Sequence, residues 1–116
     1  METYFKTEKE GAATIITFQT PSLMKQGDLE RIGVQLNNAV DEGSHRLVLD
    51  FSNVEFISSQ AIGLLLATHK KLNQIHNAKL ALCGLSPSLL QLLKITRLDK
   101  VLPMRDSRNA AVKAVS

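Results

Sequence analysis

The sequence predicts an α/β fold in one domain, with a short antiparallel start followed by alternating strands and helices. Three observations carry this. Two strand-like segments near the N-terminus are separated only by "KEGA", Lys9–Ala12, a turn in which Gly11 can take positive φ. From Asp28 the apolar residues Leu29, Ile32, Leu36 and Val40 fall at helical spacing. Two brief apolar runs, "RLVLDF" and "KLALCG", then alternate with helical stretches, as strands do when both sheet faces are covered. The 116 residues suit a single core, and one domain is expected over residues 1–116.

In chain order, "TYFKTEKE" reads as the first strand, with Tyr4 and Phe5 as its bulk. "ATIITF", Ala13–Phe18, is β-branched and apolar and reads as the second. Pro21 and Ser22 mark "QTPSLMKQG" as a loop. The helix from Asp28 turns Glu30, Arg31, Asn37 and Asp41 away from its apolar stripe, and Gly43 is its expected stop. Arg46–Phe51 follows as a central strand and "SNVEF" as a loop. A second helix is expected over Gln60–His76, then a buried strand over Lys79–Gly84. Ser86 and Pro87 suit the N-cap and first turn of a third helix. "KVLPM" reads as a last short strand ended by Pro103, and "DSRNAAVKAV" as a terminal helix capped by Asp106. The order β-β-α-β-α-β-α-β-α implies a mixed sheet, mostly parallel in its later part.

Composition narrows the function classes. Hydrophobic residues make up 44% and charged residues 22%, an ordinary globular balance. The longest apolar run, near Ala61–Ala67, is far too short to span a bilayer, so membrane insertion is not expected. "METYFKTEKE" lacks the order of a signal peptide, and a single cysteine, Cys83, cannot form an internal disulfide; both point to a cytoplasmic protein. Within "LALCG", Cys83 reads as a small core residue. The net charge of +3 hides an asymmetry: residues 1–57 hold five Lys/Arg against nine Asp/Glu, and residues 58–116 hold nine against two. The basic half could attract phosphates, anionic lipid or an acidic partner, or simply be a solvated surface. Nucleic acid is disfavoured, because no aromatic residue follows Phe56 to stack on bases.

Enzyme chemistry finds little support. The three histidines, His45, His69 and His76, form no metal-ligand cluster, and neither a GxGxxG nor a P-loop suggests a cofactor. A Ser59–His69 pair fails on reach, since ten residues of helix rise about 15 Å. No metal, no cofactor and no covalent catalysis are expected.

One stretch stands out. In "VEFISSQAIGLLLATHKKL", Ser58 and Ser59 sit between an apolar segment and a helix whose first turns are almost wholly apolar. On the simplest reading one of them is an ordinary N-cap, worth about 1 kcal/mol. Alternatively a hydroxyl at this helix start is open to a kinase, and a phosphate there would sit favourably on the helix dipole. Gly63, one turn in, would let another backbone approach. Ile57, Ile62, Leu64 and Leu65 surround the pair, and so wide an apolar start suggests contact surface.

The run "LVLDFSNVEFISSQAIGLLLATHKKL" resembles the STAS domain, the fold of bacterial anti-sigma factor antagonists. Asp50, Phe56, Ser59, Ile62 and Gly63 match the family pattern in order and spacing, and "LALCGLSPSLLQLLKITRLDKVLPMRDSRNAAVKAV" resembles its second half. Ser58 stands where the family usually has Asp, Gln60 where it has a second Ser or Thr, Ala61 where it has Gly, and Ser22 where a further Asp would be. The resemblance implies a five-stranded mixed sheet packed with helices. It implies a non-enzymatic module that docks on a serine-kinase anti-sigma factor, is phosphorylated at Ser59 (second choice Ser58) and is reset by a phosphatase. The implied partner surface is Ser22, Ile57, Ser58, Gln60, Ile62, Gly63 and Leu64. Two alternatives within the family are a subunit of a membrane transport assembly for lipid or anions, bound to a transporter ATPase, and a scaffold or ligand-sensing module without phosphorylation.

Overall fold

The computed structural model describes residues 5–115. Tyr4, expected at the head of the first strand, lies outside them. Strands β1 (Phe5–Glu10) and β2 (Ala13–Phe18) form the expected hairpin, with Phe5 opposite Phe18. Gly11 makes the turn at φ +59°, a backbone shape that favours glycine. A two-residue strand β3 (Ser22–Leu23) precedes helix α1 (Gln26–Asp41), which buries Leu29, Ile32, Leu36 and Val40. Strand β4 (Arg46–Asp50), a second two-residue strand β5 (Phe56–Ile57) and helix α2 (Ser59–Asn73) follow. Strand β6 (Lys79–Cys83), helix α3 (Pro87–Ile95), a 3₁₀ turn at Leu98–Lys100 and helix α4 (Arg108–Val115) complete the chain.

The main sheet has the order β1-β2-β4-β6, antiparallel in its first pair and parallel thereafter. The implied fifth strand is reduced to one parallel bridge between Leu82 and Met104. Leu82 N–H donates to the Pro103 carbonyl at 2.8 Å, and Arg105 N–H donates to the Leu82 carbonyl at 2.8 Å. The ladder stops there because Lys100 belongs to the 3₁₀ turn and Pro103 has no N–H to give. Strands β3 and β5, both expected as loop, form a separate parallel pair.

Alternate residues of β2, β4 and β6 supply two cores. Ile16, Leu47, Leu49, Leu80 and Leu82 face α1, α2 and α3; Ala13, Ile15, Val48, Ala81 and Cys83 face α4. The small residues on the second side let α4 sit close through Ala111 and Val115. Both runs read as central strands are therefore covered on both faces. Boundaries moved at four helix ends, one of them the start of α2, at Ser59 rather than Gln60. α1 begins at Gln26 rather than Asp28. α2 ends at Asn73 rather than His76, just before Asn77 takes φ +64°. The cap of α4 is Ser107, whose Oγ accepts from Ala110 N–H at 3.1 Å, one residue beyond the expected Asp106.

Burial pushes the Cys83 thiol up to about 11; the Asp50 charge adds to this and Arg108 opposes it. An unfolded thiol ionises nearer pH 8.5. Between those values the folded chain holds a proton that the unfolded chain has lost, so stability falls as pH rises. Urea unfolding at pH 8 and pH 10 should show this loss, and Cys83→Ala should remove the part of it that the thiol causes.

Candidate functional site

The serine pair is placed by the small β3–β5 sheet. Ser22 pairs with Phe56 and Leu23 with Ile57. The N–H groups of Glu55 and Phe56 both donate to the Pro21 carbonyl, at 2.7 and 3.1 Å, and Ser58 N–H donates to the Leu23 carbonyl at 3.0 Å. The segment before α1 is thereby tied to the start of α2, and Ser22 lies beside the junction. Two-residue strands leave no periodicity to read, which is why both looked like loop.

Asp50 sets the direction of the chain into this junction. It is buried at the end of β4, and its Oδ1 accepts from Ser52 N–H at 2.9 Å. Gly84, at the end of β6, has φ +72°; a Cβ there would lie 2.5 Å from Asp50 Oδ1 and 2.8 Å from Ser52 N. From the other side, Arg108 of α4 stands 3.9 Å from Asp50 Oδ2 and 3.2 Å from Glu8. Asp50 is thus a structural carboxylate, and the chain turned by it emerges as β5.

The two serines do different work. Ser58 is the N-cap of α2, in an extended conformation, and its Oγ accepts from Ala61 N–H at 3.2 Å. Ser59 is the first helical residue and is exposed; among the described residues its hydroxyl has no hydrogen-bond partner. The N–H groups of Ser59 and Gln60 are among the helix-start donors that no intrahelical carbonyl takes up. Together they present a free hydroxyl beside free donors and a positive dipole end.

The remaining expected residues divide. Gln60 and Gly63 are exposed, and the space where a Gly63 Cβ would stand is empty for 4 Å. Ile57 and Ile62 are half-buried at the surface. Leu64 instead turns toward α1: its Cδ1 would lie 3.1 Å from a Cβ on Gly33, and the side chain packs against the core. It supports the surface from beneath. Two contributors went unrecognised in the sequence, Phe56 at 59% exposure and Met24 at 52%. They line an open groove of about 470 Å³ with Glu55, Ile57, Leu89 and Leu92, closed at one side by Ser86 and Ser88 at the start of α3. Phe56 stood in the matched pattern, but its outward direction depends on a strand too short to show alternation. His69, far along α2, accepts from Asn73 Nδ2 at 3.3 Å and lines a different cleft, with Lys94 and Arg105.

Comparison with known proteins fits this geometry. The family model described as the STAS domain matches residues 4–111. BtrV of Bordetella bronchiseptica, described as a candidate anti-sigma factor antagonist, is 30% identical over 92 residues, covering 79% of this chain and 78% of that protein. An anti-sigma F factor antagonist of Paenibacillus polymyxa is 27% identical over 79 residues, 67% of each chain. Among solved structures, an anti-sigma-factor antagonist (STAS) domain protein from Planctomyces limnophilus superposes with a TM-score of 0.83 at 26% identity over 97% of both chains. The chain belongs to the STAS domain family.

Ser58→Ala should cost about 1 kcal/mol of stability through the lost cap, whereas Ser59→Ala should change it by less than about 0.5 kcal/mol. Gly84→Ala should cost about 2 kcal/mol or more, because it adds a left-handed strain to a clash with Asp50. Denaturant midpoints of the three variants check all of this.

Proposed function

We propose that this STAS domain is an anti-sigma factor antagonist, a non-enzymatic module that docks on a serine-kinase anti-sigma factor and is released by phosphorylation at Ser59. The observation that carries the reading is the division of the serine pair. Ser58 Oγ is engaged as a cap, and Ser59 Oγ is exposed at the head of α2. The relatives described as anti-sigma factor antagonists support the same role.

The docking surface on this reading is Ser22, Ile57, Ser58, Gln60, Ile62 and Gly63, enlarged by Phe56 and Met24. The empty space over Gly63 leaves room for a partner's backbone. Occupying the kinase frees the sigma factor that it holds. The kinase then transfers the γ-phosphoryl of ATP to Ser59 Oγ, the hydroxyl proton leaves, and ADP departs. The new group carries about −1.5 to −2 charges. It is stabilised where it stands, by the dipole of α2 and the unpaired N–H groups of its first turn. The domain therefore stays folded, and the added charge and bulk fall on the partner, beside the apolar Ile62 and the open Gly63. A phosphatase that removes the group restores docking. No helix among the described residues is long and apolar enough to cross a membrane, and nothing in this cycle requires one.

The test is incubation with the host's serine-kinase anti-sigma factors and ATP. One phosphate is expected by intact mass, mapping to Ser59, retained in Ser58→Ala and lost in Ser59→Ala. Ser59→Asp should weaken the complex at least about tenfold, since a charge buried without a partner costs more than 1.4 kcal/mol. Detecting no phosphate and no complex with any of these kinases would sink the proposal.

A further inference from the structure

A second surface stands apart from the serine junction. From Lys94 to Arg105 the chain carries four cations, Lys94, Arg97, Lys100 and Arg105, against one acid, Asp99. All four cations are exposed and Asp99 is half-buried. None of the four forms an ion pair among the described residues; Arg105 Nη1 donates only to the neighbouring Met104 carbonyl, at 2.9 Å. Lys94, Lys100, Arg105 and His69 line an open cleft of about 390 Å³ together with Asp99 and Val101. Two aliphatic side chains protrude in the same segment, Ile95 at the end of α3 with 71% exposure and Val101 after the 3₁₀ turn with 49%. Ile95 is the most exposed large hydrophobic residue of the described chain.

Arg97 adds a separate observation. Its backbone is left-handed, φ +62°, a conformation that suits glycine and costs an ordinary residue about 1 kcal/mol or more. A cation is held at a position whose backbone geometry disfavours it. The residue stands just past the Thr96 C-cap of α3, where helices commonly close through a left-handed residue, and it turns the chain into the 3₁₀ segment.

We propose that this segment is a peripheral contact for an anionic membrane surface. Lys94, Lys100 and Arg105 receive a lipid phosphate in the cleft, and Ile95 and Val101 enter the headgroup boundary. Charge complementarity selects an anionic occupant, since juxtamembrane cations gain from a negative leaflet. The exposed aliphatics select among anions. A nucleic acid would leave Ile95 and Val101 unused, and the segment offers no aromatic ring to stack on a base. The interface of a bilayer accepts aliphatic side chains ringed by Lys and Arg. The contact is separate from the phosphoswitch: His69 on the cleft is ten residues along α2 from Ser59, about 15 Å of helical rise.

Sedimentation with phosphatidylcholine vesicles, with and without one-third phosphatidylglycerol, tests the proposal. The protein should pellet only with phosphatidylglycerol and should be released by salt as charges are screened. Each of Lys94→Gln, Lys100→Gln and Arg105→Gln should weaken binding about fivefold. Ile95→Ser combined with Val101→Ser should weaken it at unchanged charge. Thermal midpoints confirm that the variants fold, and Ser59→Ala should bind vesicles like the parent. Absence of binding to phosphatidylglycerol vesicles overturns the proposal. So does binding that the Ile95/Val101 double variant leaves intact, which would be unspecific attraction of a basic chain. So does saturable binding of inorganic phosphate, followed by ¹⁵N NMR at Lys94–Arg105, with no vesicle binding; that result marks a small-anion cleft.

Discussion

The geometry of the candidate site depends on one buried carboxylate. Asp50 ends a central strand in which Leu47, Val48 and Leu49 are wholly enclosed, and a charge at that depth must be satisfied. Two groups answer it and a third makes room for it. Ser52 N–H donates to it, Arg108 approaches from the back layer, and Gly84 stays without a side chain so that the carboxylate can fit. With Asp50 held, the chain leaves the sheet in one direction only, runs through Val54 into the core, and reappears as β5 beside Ser22. The position of Ser58 and Ser59 is therefore inherited from Gly84, just past β6, and from Arg108 of α4, both far along the chain.

That inheritance explains why adjacent serines can hold different roles. The bond from Ser58 N–H to Leu23 fixes Ser58 at the strand end, so its side chain folds back to cap α2. Ser59 is left as the first residue with helical geometry, facing outward. A phosphate on Ser58 would remove the cap that orders the junction, whereas one on Ser59 adds charge where the helix start favours it. The acidic residue that the family usually has before the modified serine is here a second hydroxyl. The first turn of α2 accordingly carries no acidic residue.

Much of the fold was legible in the residues because it rests on period. Leu29, Ile32, Leu36 and Val40 announced α1, and the apolar runs around Val48 and Ala81 announced doubly covered strands. What escaped was set by contacts between distant segments. The pairing of Ser22 with Phe56 involves two residues on each side, too few for alternation, so the exposure of Phe56 and Met24 had no sequence signature. Leu64 looked like contact surface because its helix start is apolar on every side; only the bare backbone of Gly33 on α1 shows that it turns inward. "KVLPM" had strand composition, yet Pro103 and the 3₁₀ turn left it one bridge. The basic charge of the second half was visible at once, but its gathering around one cleft with Val101 depends on the turn that follows α3.

Helix α2 bears Ser59 at its head and His69, on the basic cleft, nearer its end, so the two surfaces could in principle be coupled through it. Its fastening argues otherwise. Lys71 makes a 2.8 Å ion pair with Asp41 and a 3.1 Å hydrogen bond to Asn37, both on α1. Leu64 sits against Gly33, and Leu65 and Leu72 are in the core. Coupling requires an element with two arrangements that both ligands bias. A helix pinned along its length to α1 and the sheet offers one. On the proposed reading, a phosphate on Ser59 would alter the local surface without moving the far end. A membrane contact at Lys94–Arg105 would hold the domain near a bilayer in both phosphorylation states, leaving the choice of protein partner to the serine alone.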